Sequence, residues 1–334
     1  MSVRSVAVVS GGVGAARFLR GVIGAVEHGL LPDVASPDAV TAVVNTADDC
    51  TMHGLAISPD LDTIVYTLAG AIDPERGWGL VDESWRAMDA LDRFAAVRPP
   101  GSDAGARWFN LGDRDLATHF YRTARLAEGA TLSEVTDEIR RAWSVPIRVL
   151  PITDDRLRTI VTIVDESGEC HDVSFQDYFV RLRHGVPVER VRFDGAPALT
   201  SAARVALAEN DVVVIAPSNP LVSIGPIRSI PEVDDLLAAR RERVVAVSPI
   251  VGGAALKGPA DRMLVELGHE ASVVGVAQLY APVASVLVID PVDADHAEAI
   301  RAEGMRCVVH PSVMSSPERS RSLAVATLDA VTTD

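Results

Sequence analysis

Short runs rich in valine and isoleucine recur along this chain and alternate with longer stretches of helical periodicity. Apolar runs of about four to eight residues without polar alternation are typical of strands covered on both faces, as in a parallel sheet. A parallel connection also needs a crossover, which the intervening stretches supply. The predicted strands are residues 3–9, 39–44, 211–216, 243–248, 273–276, 286–289 and 306–309.

Helices predicted between these strands complete the pattern. Strands that alternate with helices along a chain of this kind predict a doubly wound, Rossmann-like α/β fold with helices on both faces of the sheet. The predicted helices are residues 15–28, 61–71, 83–96, 198–209, 232–241, 261–267 and 294–302, with a last helix from Pro317.

The middle of the chain departs from this alternation. Residues 159–165 and 171–175 alternate around a Ser167-Gly168 turn, which predicts an antiparallel hairpin. Two helices are predicted before it, over residues 115–127 and 132–143. We therefore expect one domain over residues 1–334, with a Rossmann-like core at 1–110 and 196–334 and an inserted α+β lobe or lid at about 111–195.

Charge and cysteine content exclude several classes of protein. The chain has 31 basic and 46 acidic residues and a net charge of −15, which argues against a nucleic-acid partner. Its 3 cysteines are scattered and show no zinc spacing, as expected in a reducing compartment. No stretch approaches the roughly 20 apolar residues of a membrane helix. We expect a soluble cytoplasmic protein.

A glycine-rich loop follows the first predicted strand at residues 10–17, Ser-Gly-Gly-Val-Gly-Ala-Ala-Arg. Backbone N–H groups at the start of the next helix would favour an anion there, so Gly12 and Gly14 are candidate phosphate-binding residues. The third glycine of the dinucleotide fingerprint is missing, and no acid follows the second strand directly for a ribose. This disfavours a nicotinamide dehydrogenase. A tight turn that needs small residues only for packing is the alternative.

Acidic residues follow the second predicted strand and open the next helix. Because ligands bind beyond the carboxyl ends of strands, these acids should lie near the glycine loop. Carboxylates beside a phosphate site require a positive charge, and Mg²⁺ bound to one or two of them would supply it. We expect Asp49 and Asp62 to bind Mg²⁺, Asp60 to cap the helix and Asp48 to be solvated.

Loops after two later strands add polar groups at the same edge of the sheet. Residues 217–226 (Pro-Ser-Asn-Pro-Leu-Val-Ser-Ile-Gly-Pro) offer hydroxyl, amide and N–H groups that suit a diphosphate or a purine edge. Residues 248–253 are again small and polar. The candidate nucleotide-binding residues here are Ser218, Asn219, Ser223 and Gly225.

A charged segment, residues 111–119, precedes a predicted helix. Asp113 or Asp115 could cap that helix, or Arg114 and His119 could face a substrate anion. We expect a structural role for Asp115 and a functional role for Arg114.

Taken in order, these segments give the sequence a family resemblance. It resembles the 2-phospho-L-lactate transferase family of coenzyme F420 biosynthesis, including its actinobacterial phosphoenolpyruvyl transferase branch. The matching segments run through most of the chain and are weakest beyond about residue 276. They are residues 11–17, 45–49, 57–63, 111–115, 175–177, 216–220, 223–226 and 248–250.

The resemblance implies a reaction. Members of the family join a guanosine diphosphate ester of a three-carbon acid to the terminal hydroxyl of the deazaflavin alcohol Fo, release GMP and use Mg²⁺. Carried onto this chain, Asp49 and Asp62 would hold Mg²⁺, and Asp49 would also accept the proton of the Fo hydroxyl. Arg114 would balance the donor's charge, and the lobe around residues 175–179 would cover the deazaflavin. The resemblance also implies a homodimer.

One competing function remains. A related group that shares the glycine loop resembles nucleotide-sugar-binding regulators of cell-wall metabolism, which carry out no transfer. That function explains the loop but has less use for the paired acids at Asp48 and Asp49 and at Asp60 and Asp62.

Overall fold

The computed structural model describes residues 2–332 and forms an α/β fold around one large sheet. Within these residues the strands are β1 (Val6–Ser10), β2 (Val40–Val44), β3 (Cys50–Met52), β4 (Leu55–Ile57), β5 (Arg148–Pro151), β6 (Arg158–Val164), β7 (Cys170–Ser174), β8 (Val188–Asp194), β9 (Val212–Ile215), β10 (Val244–Val247), β11 (Ile250–Val251), β12 (Ala254–Ala255), β13 (Val286–Ile289) and β14 (Arg306–Val309).

Helices cover both faces of this sheet. Within the same residues they are α1 (Val13–Glu27), α2 (Pro59–Leu68), α3 (Arg86–Leu91), α4 (Asp115–Ala127), α5 (Leu132–Ala142), α6 (Ser201–Glu209), α7 (Ile224–Arg228), α8 (Val233–Ala239), α9 (Ala260–Glu266), α10 (Val273–Tyr280), α11 (Ala297–Ala302) and α12 (Pro317–Thr332). None of them is long and apolar enough to cross a membrane.

The large sheet has seven strands in the order β14-β13-β10-β9-β1-β2-β5, and every pairing in it is parallel. Its central strands are buried on both faces, which is why they are valine-rich without polar alternation. One apolar core contains residues of α1, α2, α5 and α12, and a second contains residues of α6, α8, α9 and α10. The predicted doubly wound parallel sheet is confirmed.

Two elements differ from the sequence prediction. Residues 273–276, predicted as a strand, begin α10, where the Ser272 hydroxyl accepts hydrogen bonds from the N–H groups of Val274 and Gly275 and caps the helix. A short apolar run does not distinguish a buried helix from a buried strand, so this prediction was wrong. The remaining strand of the sheet is β5, which pairs with β2 at one edge. Edge position explains its exposed Arg148 and terminal Pro151.

The predicted inserted lobe at about 111–195 is therefore not wholly an insertion, because it contains β5. Beyond β5, the predicted hairpin is confirmed as β6 and β7, and β8 joins it on the other side as a third antiparallel strand. This small sheet shares an apolar cluster with the core, in which Val161, Ile163 and Tyr178 meet Val222 and Met263. The cluster fixes the lobe beside the carboxyl end of the large sheet.

Helix α1 packs closely on α12, and this contact predicts opposite effects for two substitutions in one helix. A Cβ at Gly21 would lie 2.4 Å from the Ser320 carbonyl oxygen, whereas one at Gly24 would meet only the flexible Arg321 side chain at 3.3 Å. We expect Gly21→Ala to lower the free energy of unfolding by about 1–3 kcal/mol because the helices must separate. Gly24→Ala should leave it unchanged or raise it by up to about 1 kcal/mol. Urea unfolding measures both, and a stabilised Gly21→Ala protein would contradict this packing.

Candidate active site

The strand order of the large sheet reverses at β1. The chain moves outward from β1 to β2 and β5, then returns to β9 on the other side of β1 and continues to β14. Ligands of open α/β sheets bind at such a reversal, beyond the carboxyl ends of the strands. A cavity of about 920 Å³ is lined there by the loops that follow β1, β2, β9, β10 and β14, together with residues of the β6–β8 lobe.

The glycine loop connects β1 to α1 and forms one wall of this cavity, through Gly12, Val13 and Gly14. A Cβ at Gly14 would lie 2.0 Å from the Pro217 carbonyl oxygen, and one at Gly12 would lie 2.6 Å from an Asp60 carboxylate oxygen. These glycines are therefore needed for packing. The first N–H groups of α1 also lack intrahelical partners at the cavity wall, so the packing role does not conflict with the predicted binding of a phosphate there.

The loop after β9 forms the facing wall. Ser218, Asn219 and Ser223 line the cavity, and the Ser218 hydroxyl accepts a hydrogen bond from the Gly11 N–H at 3.3 Å. The side-chain Oδ1 of Asn219 accepts hydrogen bonds from the N–H groups of Leu221 and Val222, which hold the side chain in place. Gly225 does not line the cavity. A Cβ there would meet the Phe193 ring at 3.2 Å, so its role is in packing.

Carboxylates gather beside the glycine loop around Asn45. The Asn45 amide donates hydrogen bonds to Asp48 at 3.2 Å and to Asp60 at 3.0 Å, and the Ser58 hydroxyl donates one to Asp49 at 2.7 Å. Asp48 and Asp60 line the cavity, while Asp49 lies beside it without lining it. Within residues 2–332, the Oδ1 atoms of Asp48 and Asp49 are buried and make no hydrogen bond.

Desolvation raises the pKa values of all three acids, and neighbouring carboxylate charges raise those of Asp48 and Asp49 further. Desolvation raises the pKa of Asp49 to about 8, which the Ser58 hydrogen bond and the Arg122 charge only partly oppose. It raises the pKa of Asp60 to about 6. The pKa of Asp48 is raised well above its usual range by desolvation and by the Asp60 charge. Near neutral pH the acids therefore cannot all ionise without a cation.

Two expectations about these acids were wrong. Asp48 was expected to be solvated, but it is 6% exposed. Asp60 was expected to cap α2, but the N-cap is Ser58, no side chain caps this helix, and the Asp60 carboxylate accepts from Asn45. From the sequence, each of these two acids has a local role, which is solvation for Asp48 and helix capping for Asp60. In the fold, Asn45 donates a hydrogen bond to each of them and so holds them close together.

Asp62 lies in the cavity wall with a different partner. The buried guanidinium of Arg122 donates to both of its carboxylate oxygens, through Nη1 at 3.0 Å and through Nη2. The Asp62 charge raises the pKa of Arg122, although burial opposes the charged form. His119 contacts Arg122 at 3.3 Å and lies 3.2 Å from Asp115, whose carboxylate also accepts from the Tyr66 hydroxyl.

Sequence reasoning missed Arg122, although a signal was present. Asp115, His119 and Arg122 are spaced i, i+4 and i+7 and so lie on one face of α4, which is the buried face. Arg114 lies apart from the other predicted site residues. Its exposed guanidinium donates to the Val81 carbonyl at 2.7 Å and does not line the cavity. The cationic side chains of lysine and arginine that do line the cavity are Arg17 and Lys257.

Removal of Arg122 should leave Asp62 buried without a counter-charge. We expect Arg122→Met to lower the free energy of unfolding by about 3–5 kcal/mol, and Arg122→Met combined with Asp62→Leu to recover part of that loss. Arg114→Met is the matched control and should change it by less than about 1 kcal/mol. Urea unfolding checks all three, and an Arg122→Met protein as stable as the wild type would show that the pair contributes nothing.

Comparisons with known proteins agree on one family. The chain matches the family model of 2-phospho-L-lactate transferase CofD over residues 6–327. Proteins named phosphoenolpyruvate transferase from Thermobifida fusca and Mycobacterium tuberculosis are 41% and 40% identical, each over 97% of this chain and over 97% and 98% of their own. Another of that name, from Kitasatospora aureofaciens, is 40% identical over 95% of this chain and 94% of its own.

A solved structure extends the comparison to the fold. The crystal structure of a UPF0052 family protein from Bacillus halodurans gives a TM-score of 0.61 at 14% identity and covers 100% of both chains, which indicates a common fold and nothing finer. The family match, by contrast, spans nearly the whole chain, and the curated relatives match it over nearly their full length. This enzyme therefore belongs to the CofD family of 2-phospho-L-lactate transferases.

Proposed function

We propose that this transferase of coenzyme F420 biosynthesis moves a phosphoenolpyruvyl, or 2-phospholactyl, group from a guanosine diphosphate ester to the terminal hydroxyl of the deazaflavin Fo and releases GMP. The names of its relatives support the phosphoenolpyruvyl form. The observation that carries the proposal is one cavity that combines a helix N-terminus with a cluster of desolvated carboxylates at the reversal of the sheet. The cytoplasmic homodimer expected from the sequence belongs to the same proposal.

The donor would bind along the wall formed by α1 and the loop after β9. The free N–H groups at the start of α1 suit the diphosphate, as at other helix N-termini. Ser218, Asn219 and Ser223 would contact the guanosine diphosphate half, because their side chains line the same part of the cavity. In this proposal the small residues of the glycine loop allow the loop after β9 to approach, and so shape the donor site.

Mg²⁺ fits the acid cluster. Asp48 and Asp49 are neighbours in the chain, and each has a buried carboxylate oxygen without a hydrogen-bond partner within residues 2–332. Carboxylate oxygens are the protein ligands that Mg²⁺ prefers. We assign the ion to these two acids. Asp62, which the sequence had suggested as a ligand, would instead act through Arg122, since both of its oxygens accept from that guanidinium. Bound Mg²⁺ would neutralise the charge of the diphosphate.

The transfer itself would then depend on position and charge. The Fo hydroxyl oxygen attacks the phosphorus that carries the acid, the bond from that phosphorus to the GMP oxygen breaks, and the hydroxyl proton must leave. Asp60 lines the cavity, and its pKa is raised to about 6. A general base is most effective when its pKa lies near the pH at which the enzyme works. We therefore assign the proton to Asp60 in preference to Asp49, which is the proposed ligand of Mg²⁺.

The deazaflavin would lie under the small lobe. Trp108, Phe175 and Phe179 line the cavity, and the rings of Phe175 and Phe179 are stacked with centroids 5.4 Å apart. Flat aromatic ligands bind well against such rings. This position leaves the ribityl chain of Fo to extend towards Asp60 and the donor.

A transfer assay tests the proposal directly. With Fo, Mg²⁺ and the guanosine diphosphate ester of enolpyruvate, we expect a phosphodiester product and GMP, both detected by mass spectrometry. Asp49→Asn should lower kcat/KM by about 100-fold or more, because a charged ligand of Mg²⁺ is lost. The control Asp33→Asn removes an exposed charge and should retain activity.

Two results would contradict the proposal. Wild-type activity of Asp49→Asn would show that Asp49 is not a ligand of Mg²⁺. Tight binding of a UDP-sugar, with no turnover of any guanosine donor, would favour the nucleotide-sugar-binding regulator.

Metal binding should release protons, with a definite dependence on pH. Without Mg²⁺ the Asp49 carboxyl, whose pKa is raised to about 8, is mostly protonated at pH 7, so ligation must expel its proton. At pH 9.5 the group is already ionised, so release should fall and Mg²⁺ affinity should rise. Calorimetry in buffers of different ionisation enthalpy measures the number of protons released. Equal release at both pH values would contradict the raised pKa.

A further inference from the structure

Two cationic side chains line the same cavity as Asp48, Asp60 and Asp62, and neither has an anionic partner within residues 2–332. Arg17 projects from α1 one turn after Val13, the first residue of that helix. Within residues 2–332 its side chain forms neither a hydrogen bond nor an ion pair. Lys257 extends from the loop between β12 and α9. Its ammonium group donates one hydrogen bond, to the Arg76 carbonyl at 3.3 Å, and has two further N–H donors.

The two charges affect each other. Both side chains line the one cavity, where partial desolvation lowers the pKa of Lys257 and the charge of Arg17 lowers it further. Neither pairs with Asp48 or Asp60 across the cavity, in the part of the chain that the structure describes. Elsewhere in this acidic chain, arginines commonly have carboxylate partners, as Arg107, Arg125 and Arg228 do. Two like charges facing one cavity favour an anion between them.

The donor has two anionic parts, and one of them already has a site. The diphosphate is accounted for by the N-terminus of α1 and the acid cluster with its cation. Arg17 lies about 5.4 Å, or one helical turn, along α1 from its N-terminus. In the donor, the carboxylate carbon of the three-carbon acid is only three bonds from the phosphorus that is attacked. A second anion at that short distance from the first is what the arrangement of charges requires.

We propose that Arg17 and Lys257 bind the carboxylate of the three-carbon acid in the donor. The inference rests on the proposed function, which supplies the donor, and it replaces Arg114 as the group that balances the donor's charge. The guanidinium offers two parallel N–H donors to a carboxylate, and the ammonium adds a point charge. The pair selects for the presence of an acid group. It does not select among lactate, enolpyruvate and glycerate, because all three carry the same carboxylate.

The test compares two donors that differ only in this group. One is the guanosine diphosphate ester of enolpyruvate, and the other carries a neutral carboxamide in place of its carboxylate. We expect Arg17→Met and Lys257→Met each to lower kcat/KM with the acid donor by about 10- to 100-fold, the usual effect of losing a hydrogen bond to a charged group. With the carboxamide donor the loss should be less than about threefold.

Controls separate this role from others. Arg20→Met removes an exposed arginine of the same helix that does not line the cavity and should behave as the wild type. Arg17→Lys should recover part of the activity with the acid donor. The Kd of GDP, measured by calorimetry, should be unchanged in both Met variants, and thermal unfolding should show that they are folded.

Three outcomes would overturn the inference. Equal losses with both donors, together with weaker GDP binding, would show that the pair binds the diphosphate. Unchanged kcat/KM of the Met variants with both donors would show that the pair binds neither group, while transfer by the wild type would leave the proposed function standing. Absence of transfer by the wild type with either donor would refute the proposed function and this inference with it.

Discussion

Desolvation of three neighbouring carboxylates is the constraint on which the site depends. Asn45 and Ser58 hold Asp48, Asp49 and Asp60 together, yet two of their buried oxygens have no partner within residues 2–332. Charged groups removed from water are costly unless an opposite charge is close, and here the nearest guanidinium is already paired with Asp62. The acid cluster therefore lacks one compensating positive charge, and a bound cation would supply it.

The sheet topology fixes where that corner lies. Reversal of the strand order at β1 places the glycine loop against the loop after β9, at a distance that only glycine allows, since a Cβ at Gly14 would overlap the Pro217 carbonyl. The same edge carries the end of β2, where the acids begin. Negative and positive groups thus lie on different parts of one cavity wall, with the acid cluster by Asn45 and the cations at Arg17 and Lys257. This separation suits a donor that contains both a metal-bound diphosphate and a free carboxylate.

The sequence predicts the parts of this structure that depend on local pattern and not those that depend on distant partners. The buried strands beside β1 have a valine-rich pattern that clearly predicts strands. β5 lacks this pattern, because it is an edge strand and can carry an exposed arginine. Of the residues predicted from their places after strands, Gly12 and Ser218 line the cavity and Asp49 lies beside it. The pairing of Asp62 with Arg122 could not be predicted in this way, because 60 residues separate them. Arg17 was not predicted as a site residue, because the sequence does not show which side chains of α1 face the cavity.

The central claim is that this transferase positions a cation between Asp48 and Asp49 beside the donor site. A crystal grown with Mn²⁺ in place of Mg²⁺ tests it most directly, because anomalous scattering locates the ion without reference to activity. We expect one strong peak about 2.0–2.2 Å from oxygens of Asp48 and Asp49. A peak instead at the exposed Asp165, Glu169 and His171 group, or no peak in the cavity at saturating Mn²⁺, would contradict it.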